Sequence, residues 1–404
     1  MDYKPRTISK VILRASANFK LILLTGMRQV GKTTTLLNCG TKKRQHVTLD
    51  NPKDLALAQK EPEFFFQTYE PPLLIDEIQH VPSLFPYLKM LADNSPKRGL
   101  VWMTGSQQFE LMQGISESLA GRVIILNMLG FSLYERAGLG AQQKPFLPSA
   151  RSSGALNKKN LRQTYKIIWQ GAFPDIVDKP ANQWAGFYAS YVKTYIERDV
   201  RRIVNIGNEA DFLKFLSVLA ARTAQELNLA DTARDAGIAP NTAKAWLSIL
   251  ETSGLVYLLK PYFKNISKRF IKRPKLYFMD TGLCAYLTEW NTPEVLEKGA
   301  MSGAIFETFV ITEIIKSYQH NGLFPALYYY RDNVQTEIDL LLAQNGLLYP
   351  IEIKKTANPS RNDISAFEQL AKIGEKPGYG ALICLTDRAR PLTDKASAIS
   401  IWDI

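Results

Sequence analysis

One eight-residue segment restricts this fold more than any other: Gly26-Met27-Arg28-Gln29-Val30-Gly31-Lys32-Thr33. It follows a short, almost wholly apolar run at residues 21–25, the pattern of a strand buried on both faces of a parallel sheet. Thr34-Thr35-Leu36-Leu37 then opens a helix. Two glycines at this spacing let the backbone curl until successive N–H groups converge on an anion, and the helix N-terminus adds its own field. Further apolar runs at 72–75, 99–103 and 123–126 are separated by segments of helical length, such as 86–93. Buried strands alternating with helices predict a doubly wound α/β domain with a parallel sheet, ending near residue 135.

The loop at 26–34 therefore reads as a phosphate-binding loop for a nucleotide. Lys32 is placed to reach the β- and γ-phosphates, and the Thr33 hydroxyl to bind Mg²⁺. Leu73-Leu74-Ile75-Asp76-Glu77 is its complement, a buried strand ending in two carboxylates. Asp76 is expected to hold the metal through water, and Glu77 to polarise the attacking water. Neighbouring strand residues face opposite ways, so the two acids need not compete for one place. The next strand ends in small polar groups, Thr104 and Ser106, which either form a plain turn or resemble the first sensor of AAA-type ATPases. Arg122 follows Ser118-Leu119-Ala120-Gly121 and is either an arginine finger offered to a neighbouring subunit or half of a structural ion pair. Arg198 and Arg201 are rivals for the finger.

These strings together, GMRQVGKTT, LLIDEIQ, MTGSQQ and SLAGR, resemble a prokaryotic AAA-type ATPase family with a nuclease-like C-terminal domain. YIERDV at 195–200 and KLYFMDTGL at 275–283 are similar to it too. The resemblance implies ATP as substrate, Mg²⁺ as cofactor, a core of the additional-strand group, and self-association, with a hexameric ring as one form.

Downstream, residues 227–250 read as helix, turn, helix, with Gly237 in the turn and Asn241 as cap of the second helix. The run from Gly254 is expected to form a strand like the wing of a winged helix. Such a unit either contacts DNA or serves as a lid or subunit contact. The second helix offers only Asn241, Thr242, Lys244 and Ser248 to a groove. The basic run Lys264, Lys268, Arg269, Lys272, Arg273 and Lys275, interleaved with Tyr262, Phe263 and Phe270, is a richer phosphate-contacting surface, or else a solvated edge.

The last third carries a second set of acids. Asp339 and Glu352 lie on two strand-like runs joined by Gln344-Asn345-Gly346, a strong hairpin signal. Glu352 and Lys354, two apart, share a face, and Glu307 lies on an upstream helix beside its apolar stripe. Two carboxylates for Mg²⁺ or Mn²⁺ and a lysine orienting water suit phosphodiester hydrolysis. The arrangement resembles the PD-(D/E)xK nuclease superfamily at Glu307, Asp339, Glu352 and Lys354, with Glu337 a further acid nearby.

Composition bounds these readings. The 404 residues carry a net charge of +12, which favours an acidic partner, and DNA is the expected one. Three cysteines without paired spacing argue against a disulfide framework, and three histidines leave little for structural zinc. No apolar run reaches membrane-spanning length and the N-terminus has no signal-peptide pattern, so a cytoplasmic protein with no membrane partner is expected. The organisation expected is an ATPase core at 1–135, a linker at 136–160, a helical region at 161–221, a winged-helix-like unit with the basic segment at 222–275, and a nuclease-like α/β domain at 276–404. Its function is expected to be ATP hydrolysis directed at DNA, by remodelling, branch migration or cleavage. The alternative is a non-cleaving ATP switch that binds a protein partner through its C-terminal domains.

Overall fold

The computed structural model describes residues 3–105, 119–150, 154–195, 209–265, 267, 269 and 272–404. Five short strands form the first sheet: β1 (Leu21–Thr25), β2 (Gln45–Thr48), β3 (Leu73–Asp76), β4 (Val101–Gly105) and β5 (Val123–Asn127). All pairs are parallel, in the order β2-β3-β4-β1-β5, so β4 is inserted between the strand before the loop and the strand bearing Asp76. Both faces are covered. Ile22 and Leu24 join the core shared with the rest of the chain, while Leu21 and Leu23 join a separate one with Phe65, Ile75 and Met103. Period-two alternation with no polar face explains why these strands read as continuous apolar runs. Strand β2 has no such signature. It lies at the sheet edge with Gln45 and His46 exposed, and Val47 is its single apolar residue.

Residues 137–160 hold one 3-10 turn (Gly140–Gln142) and otherwise lack regular structure among the described residues, yet Phe146 and Leu156 are buried. The helices Leu161–Gln170, Trp184–Tyr195 and Glu209–Ala221 follow. They pack on aromatic rings, including Trp169 stacked on Trp184 at 4.3 Å. After β6 (Gln225–Glu226) come helices Leu229–Ala236 and Pro240–Thr252, then β7 (Val256–Leu259) and β8 (Lys275–Phe278). Gly237 ends the first helix with φ 76°, the left-handed cap a glycine accepts without strain. The second helix begins two residues earlier than the Asn241 cap implied. Ala239 is the cap and Pro240 the first helical residue, where its missing N–H costs nothing. Trp246 and Leu250 turn inward, with Trp246 edge-on to Phe212 and Phe215.

Strand β8 is central in the three-stranded antiparallel sheet β6-β8-β7. The boundary expected between 275 and 276 therefore falls inside a strand that belongs to the middle unit. Beyond it, the helix Ser302–Gln319 runs through the core and meets a mixed six-stranded sheet. Its strands are β9 (Ala326–Arg331), β10 (Glu337–Gln344), β11 (Leu347–Ile353), β12 (Gly380–Cys384), β13 (Arg390–Thr393) and β14 (Ala396–Ser400), in the order β13-β14-β12-β11-β10-β9. Asn345 and Gly346, at φ 53° and 74°, make the two-residue turn between β10 and β11. Residues 401–403 form a 3-10 turn, so β14 is the last strand.

Candidate functional site

The ends of β1, β3 and β4 lie level because the parallel register pairs Leu24 with Thr104 and Ile75 with Met103. This brings residues from three distant parts of the sequence to one sheet edge. Gly26 has φ 142°, and a Cβ there would sit 2.0 Å from the Met128 carbonyl oxygen. No other residue fits that approach. Gly31, at φ 87°, caps the helix Lys32–Cys39, leaving its first N–H groups facing the loop. Met27 and Val30 are buried beneath the loop, while Gln29 and Thr34 are exposed and Arg28 partly so. Lys32 is buried, and its ammonium donates to the carbonyls of Gly26 and Met27 at 3.0 and 2.9 Å. The lysine thus spans the mouth of its own loop.

Asp76 anchors the opposite wall. Its Oδ1 accepts from Thr33 Oγ1 at 2.6 Å and from the Thr104 hydroxyl. Thr104 in turn accepts from the backbone N–H of Glu77 at 3.0 Å. The expectation that the two acids diverge as strand neighbours is corrected here. Strand β3 stops at Asp76, and Glu77 adopts a left-handed conformation with φ 56°. A turn, not strand alternation, separates the carboxylates, and the Gln79 amide donates to Glu77. Thr104 touches both acids through one hydroxyl, so it positions the pair. Ser106, Arg198 and Arg201 lie outside the described residues.

Arg122 pairs with Asp93, Nε to Oδ1 at 2.7 Å and Nη2 to Oδ2 at 3.1 Å. It precedes Val123, which pairs with Leu21 at the start of β1. That is the sheet edge away from Gly26, so within the chain Arg122 does not face the loop.

Beside the loop is a cavity of about 350 Å³ lined by Arg6, Gln29, Gly31, Thr34, Pro174 and Asp178, among others. The N-terminal and 174–178 contributions carry no sequence signature, since a few mixed residues acquire meaning only when folded against the loop. Arg6 also buttresses the loop from behind, donating to Val30 O at 3.3 Å and Leu129 O at 2.6 Å. Its partner Glu135 is fully buried, 3.2 Å from Arg6 Nε and 3.3 Å from His320 Nδ1. Burial alone would raise the Glu135 pKa, but the charge of Arg6 and the hydrogen bonds from His320 and Ser132 outweigh it, holding the carboxyl down at about 2. His320 Nε2 accepts from Leu129 N at 3.2 Å.

The second set of acids also converges, with one unexpected member. Lys275, expected in the exposed basic run, is buried with its ammonium 3.2 Å from Glu307 Oε1 and 3.8 Å from Asp339 Oδ1, and paired with Glu337. Tyr277, two residues along β8, donates to Glu307 at 2.6 Å. Asp339 Oδ2 accepts from Ile353 N at 2.9 Å, and Lys354 pairs with Glu352 at 2.7 Å. Burial raises the pKa of Glu307, Asp339 and Glu352, and for Glu307 and Glu352 the nearby Asp339 charge adds to it. Burial lowers that of Lys275, but the surrounding carboxylates more than reverse this. The expected metal set of Glu307, Asp339 and Glu352 does not fit as it stands. Among the described residues no three His, Cys, Asp or Glu side chains are arranged to hold an ion, and an ammonium lies between the acids.

Comparison with known proteins follows this division. Residues 18–137 match the AAA domain family, residues 161–294 a domain of unknown function (DUF8612), and residues 302–404 another (DUF4143). The N-terminal part is an AAA-type P-loop ATPase domain. An uncharacterized protein of Mycobacterium tuberculosis is 29% identical over 390 residues, 96% of this chain and 81% of its own length, and an uncharacterized protein of Mycobacterium bovis matches equally. Among solved structures, the Walker-type ATPase of Pyrococcus abyssi aligns over 71% of this chain and 99% of its own, at 14% identity and a TM-score of 0.44. AMPPCP-bound DnaA from Aquifex aeolicus aligns over 60% and 85%, at 12% identity and 0.30. At these scores neither speaks to activity. No described helix is long and apolar enough to cross a membrane.

Proposed function

We propose that this chain hydrolyses ATP with Mg²⁺ and directs the cycle at DNA as an oligomer. The relay Thr33–Asp76–Thr104–Glu77 at the loop mouth carries the reading. Lys32 and the N–H groups of 26–34 would hold the phosphates, Thr33 and Asp76 the Mg²⁺, which would supply charge neutralisation at the transferring phosphoryl group. Glu77 would take the proton from water, held in place by Thr104 and Gln79. The base and ribose would occupy the cavity beside Gln29 and Pro174.

DNA is supported by the net charge of +12 and by exposed Lys264, Lys272 and Arg273 after β7. The order helix, strand, helix, helix, strand, strand from Glu209 to Phe278 supports a winged-helix unit. Metal-dependent cleavage at Glu307, Asp339, Glu352 and Lys354 would need Lys275 displaced. The same ion pair supports the second reading, a non-cleaving ATP switch with a protein partner.

The test is ATP turnover with and without linear and branched DNA, together with DNA-binding anisotropy across a salt series. Lys32→Ala is expected to lose nucleotide binding. Joint replacement of Lys264, Lys272 and Arg273 by Glu is expected to weaken DNA binding and flatten its salt dependence. Absence of DNA binding by the unaltered protein at low salt would sink the DNA reading and leave the ATPase.

A further inference from the structure

Three carboxylates from different elements meet one buried ammonium in the C-terminal third. Glu307 comes from the helix Ser302–Gln319, while Glu337 and Asp339 lie on one face of β10. Lys275 reaches them from β8, a strand of another sheet, and is only 3% exposed. The acids themselves were visible in the sequence. That a lysine 32 residues before Glu307 fills the space between them was not.

A second observation concerns Glu352. Its side chain is buried, its Oε1 pairs with Lys354, and its Oε2 has no hydrogen-bond partner. Residues 339 and 352 continue the antiparallel register that pairs Leu340 with Ile351. The orphaned oxygen therefore belongs to the carboxylate opposite Asp339. A buried acceptor left unmatched is costly, so this oxygen is a place for a proton, a water or a cation. An ammonium is a compact point charge. Lying against three carboxylates, it occupies the centre a divalent ion would need and repels that ion.

We propose that Lys275 is a built-in counter-cation that closes this carboxylate cluster to divalent metal, so that its ammonium must withdraw before the C-terminal domain can bind one. The proposal rests on the nuclease-like reading only for what an opened site would do, not for what fills it now. Closure is an ion pair from a strand of one sheet to acids carried by other elements, and opening is departure of the Lys275 ammonium from them. Tyr277 reinforces it, since its hydroxyl holds Glu307 from the same strand face.

The test is a Mn²⁺ titration of the nucleotide-free full chain, following free Mn²⁺ by electron paramagnetic resonance. Asp339→Asn in each background isolates binding at this cluster from any at Thr33 and Asp76. Wild type and Asp339→Asn are expected to titrate alike. Lys275→Gln and Lys275→Met are expected to gain Mn²⁺ binding that is lost again with Asp339→Asn, and Mn²⁺ should raise their melting temperatures. Lys275→Arg should stay closed. Binding by wild type that disappears in Asp339→Asn would overturn the proposal without any Lys275 variant. A folded Lys275→Gln that gains no Asp339-dependent binding would overturn it as well. Adding DNA to Mn²⁺-loaded Lys275→Gln separates the two readings: no cleavage would remove the nuclease reading and leave the counter-cation standing.

Discussion

Thr104 has one hydroxyl and two duties, donating to Asp76 and accepting from the N–H of Glu77. The pair of acids is thus held by a neighbouring strand as well as by its own. Glu77→Gln is expected to retain ATP binding and to lower turnover by about 10²–10⁴-fold, the usual contribution of a general base. Normal turnover in a steady-state assay would show that another group activates the water. Thr104→Ala should lower kcat with little change in nucleotide affinity, because the alanine frees both acids without touching Lys32. Gly26→Ala is the backbone counterpart. Its methyl would meet the Met128 carbonyl at 2.0 Å, so nucleotide binding measured by calorimetry should be lost. At the same scale, Lys275 belongs by charge and spacing to the basic run from Lys264, yet it is buried. Charge and spacing say nothing of burial, and a lysine three residues after Lys272 looks like its neighbour until β8 turns it inward.

Elements were legible wherever burial was two-sided. The run Leu21–Thr25 emerges with unchanged bounds because every residue is packed. Strand β2 was not legible, since an edge strand with Gln45 and His46 in solvent has no apolar period to read. The Asn-Gly hairpin between β10 and β11 was legible from local chemistry, as both turn residues need positive φ. Gly237 is the comparable feature of the middle unit. Its surroundings are open, the nearest atom to an added Cβ being Lys214 Nζ at 3.6 Å, so only backbone strain opposes substitution. Gly237→Ala is therefore expected to cost about 1–2 kcal/mol in equilibrium unfolding, the penalty of a left-handed non-glycine residue.

At the scale of the whole molecule, the helix Ser302–Gln319 ties the two ends together. Glu313 accepts from Leu133 N at 2.8 Å, Lys316 donates to Phe131 O at 3.1 Å, and His320 reaches Glu135 and Leu129 at its C-terminal end. Glu307 lies near its other end, among Lys275 and Tyr277. Removing the Glu135 charge by Glu135→Gln leaves buried Arg6 without its ionic partner and should cost about 3–5 kcal/mol. The pH dependence has a definite sign. The folded pKa of about 2 lies below the ordinary value of 4.5, so the Glu135 contribution is fully present above pH 4.5 and is lost as pH falls toward 2. Acid unfolding monitored by circular dichroism should flatten over that window in Glu135→Gln. An unchanged acid limb would show that the triad does not govern it. His320→Ala strands the Leu129 N–H and should cost about 1–3 kcal/mol.

The chain order by itself determined the phosphate-binding loop, the parallel strands around it, the hairpin and the identity of the acids. Each depends on local requirements: positive φ, two-sided burial, or spacing along one strand. What the loop faces and what the acids hold were decided only by tertiary structure. Thr104 stands 28 residues from Asp76, Glu135 stands 129 from Arg6, and Glu307 stands 32 from Lys275. Such pairings follow from sheet order and helix docking, which bring distant charges into a common low-dielectric space. No period or motif encodes that meeting, and it is there that an apparent metal site becomes an ion pair.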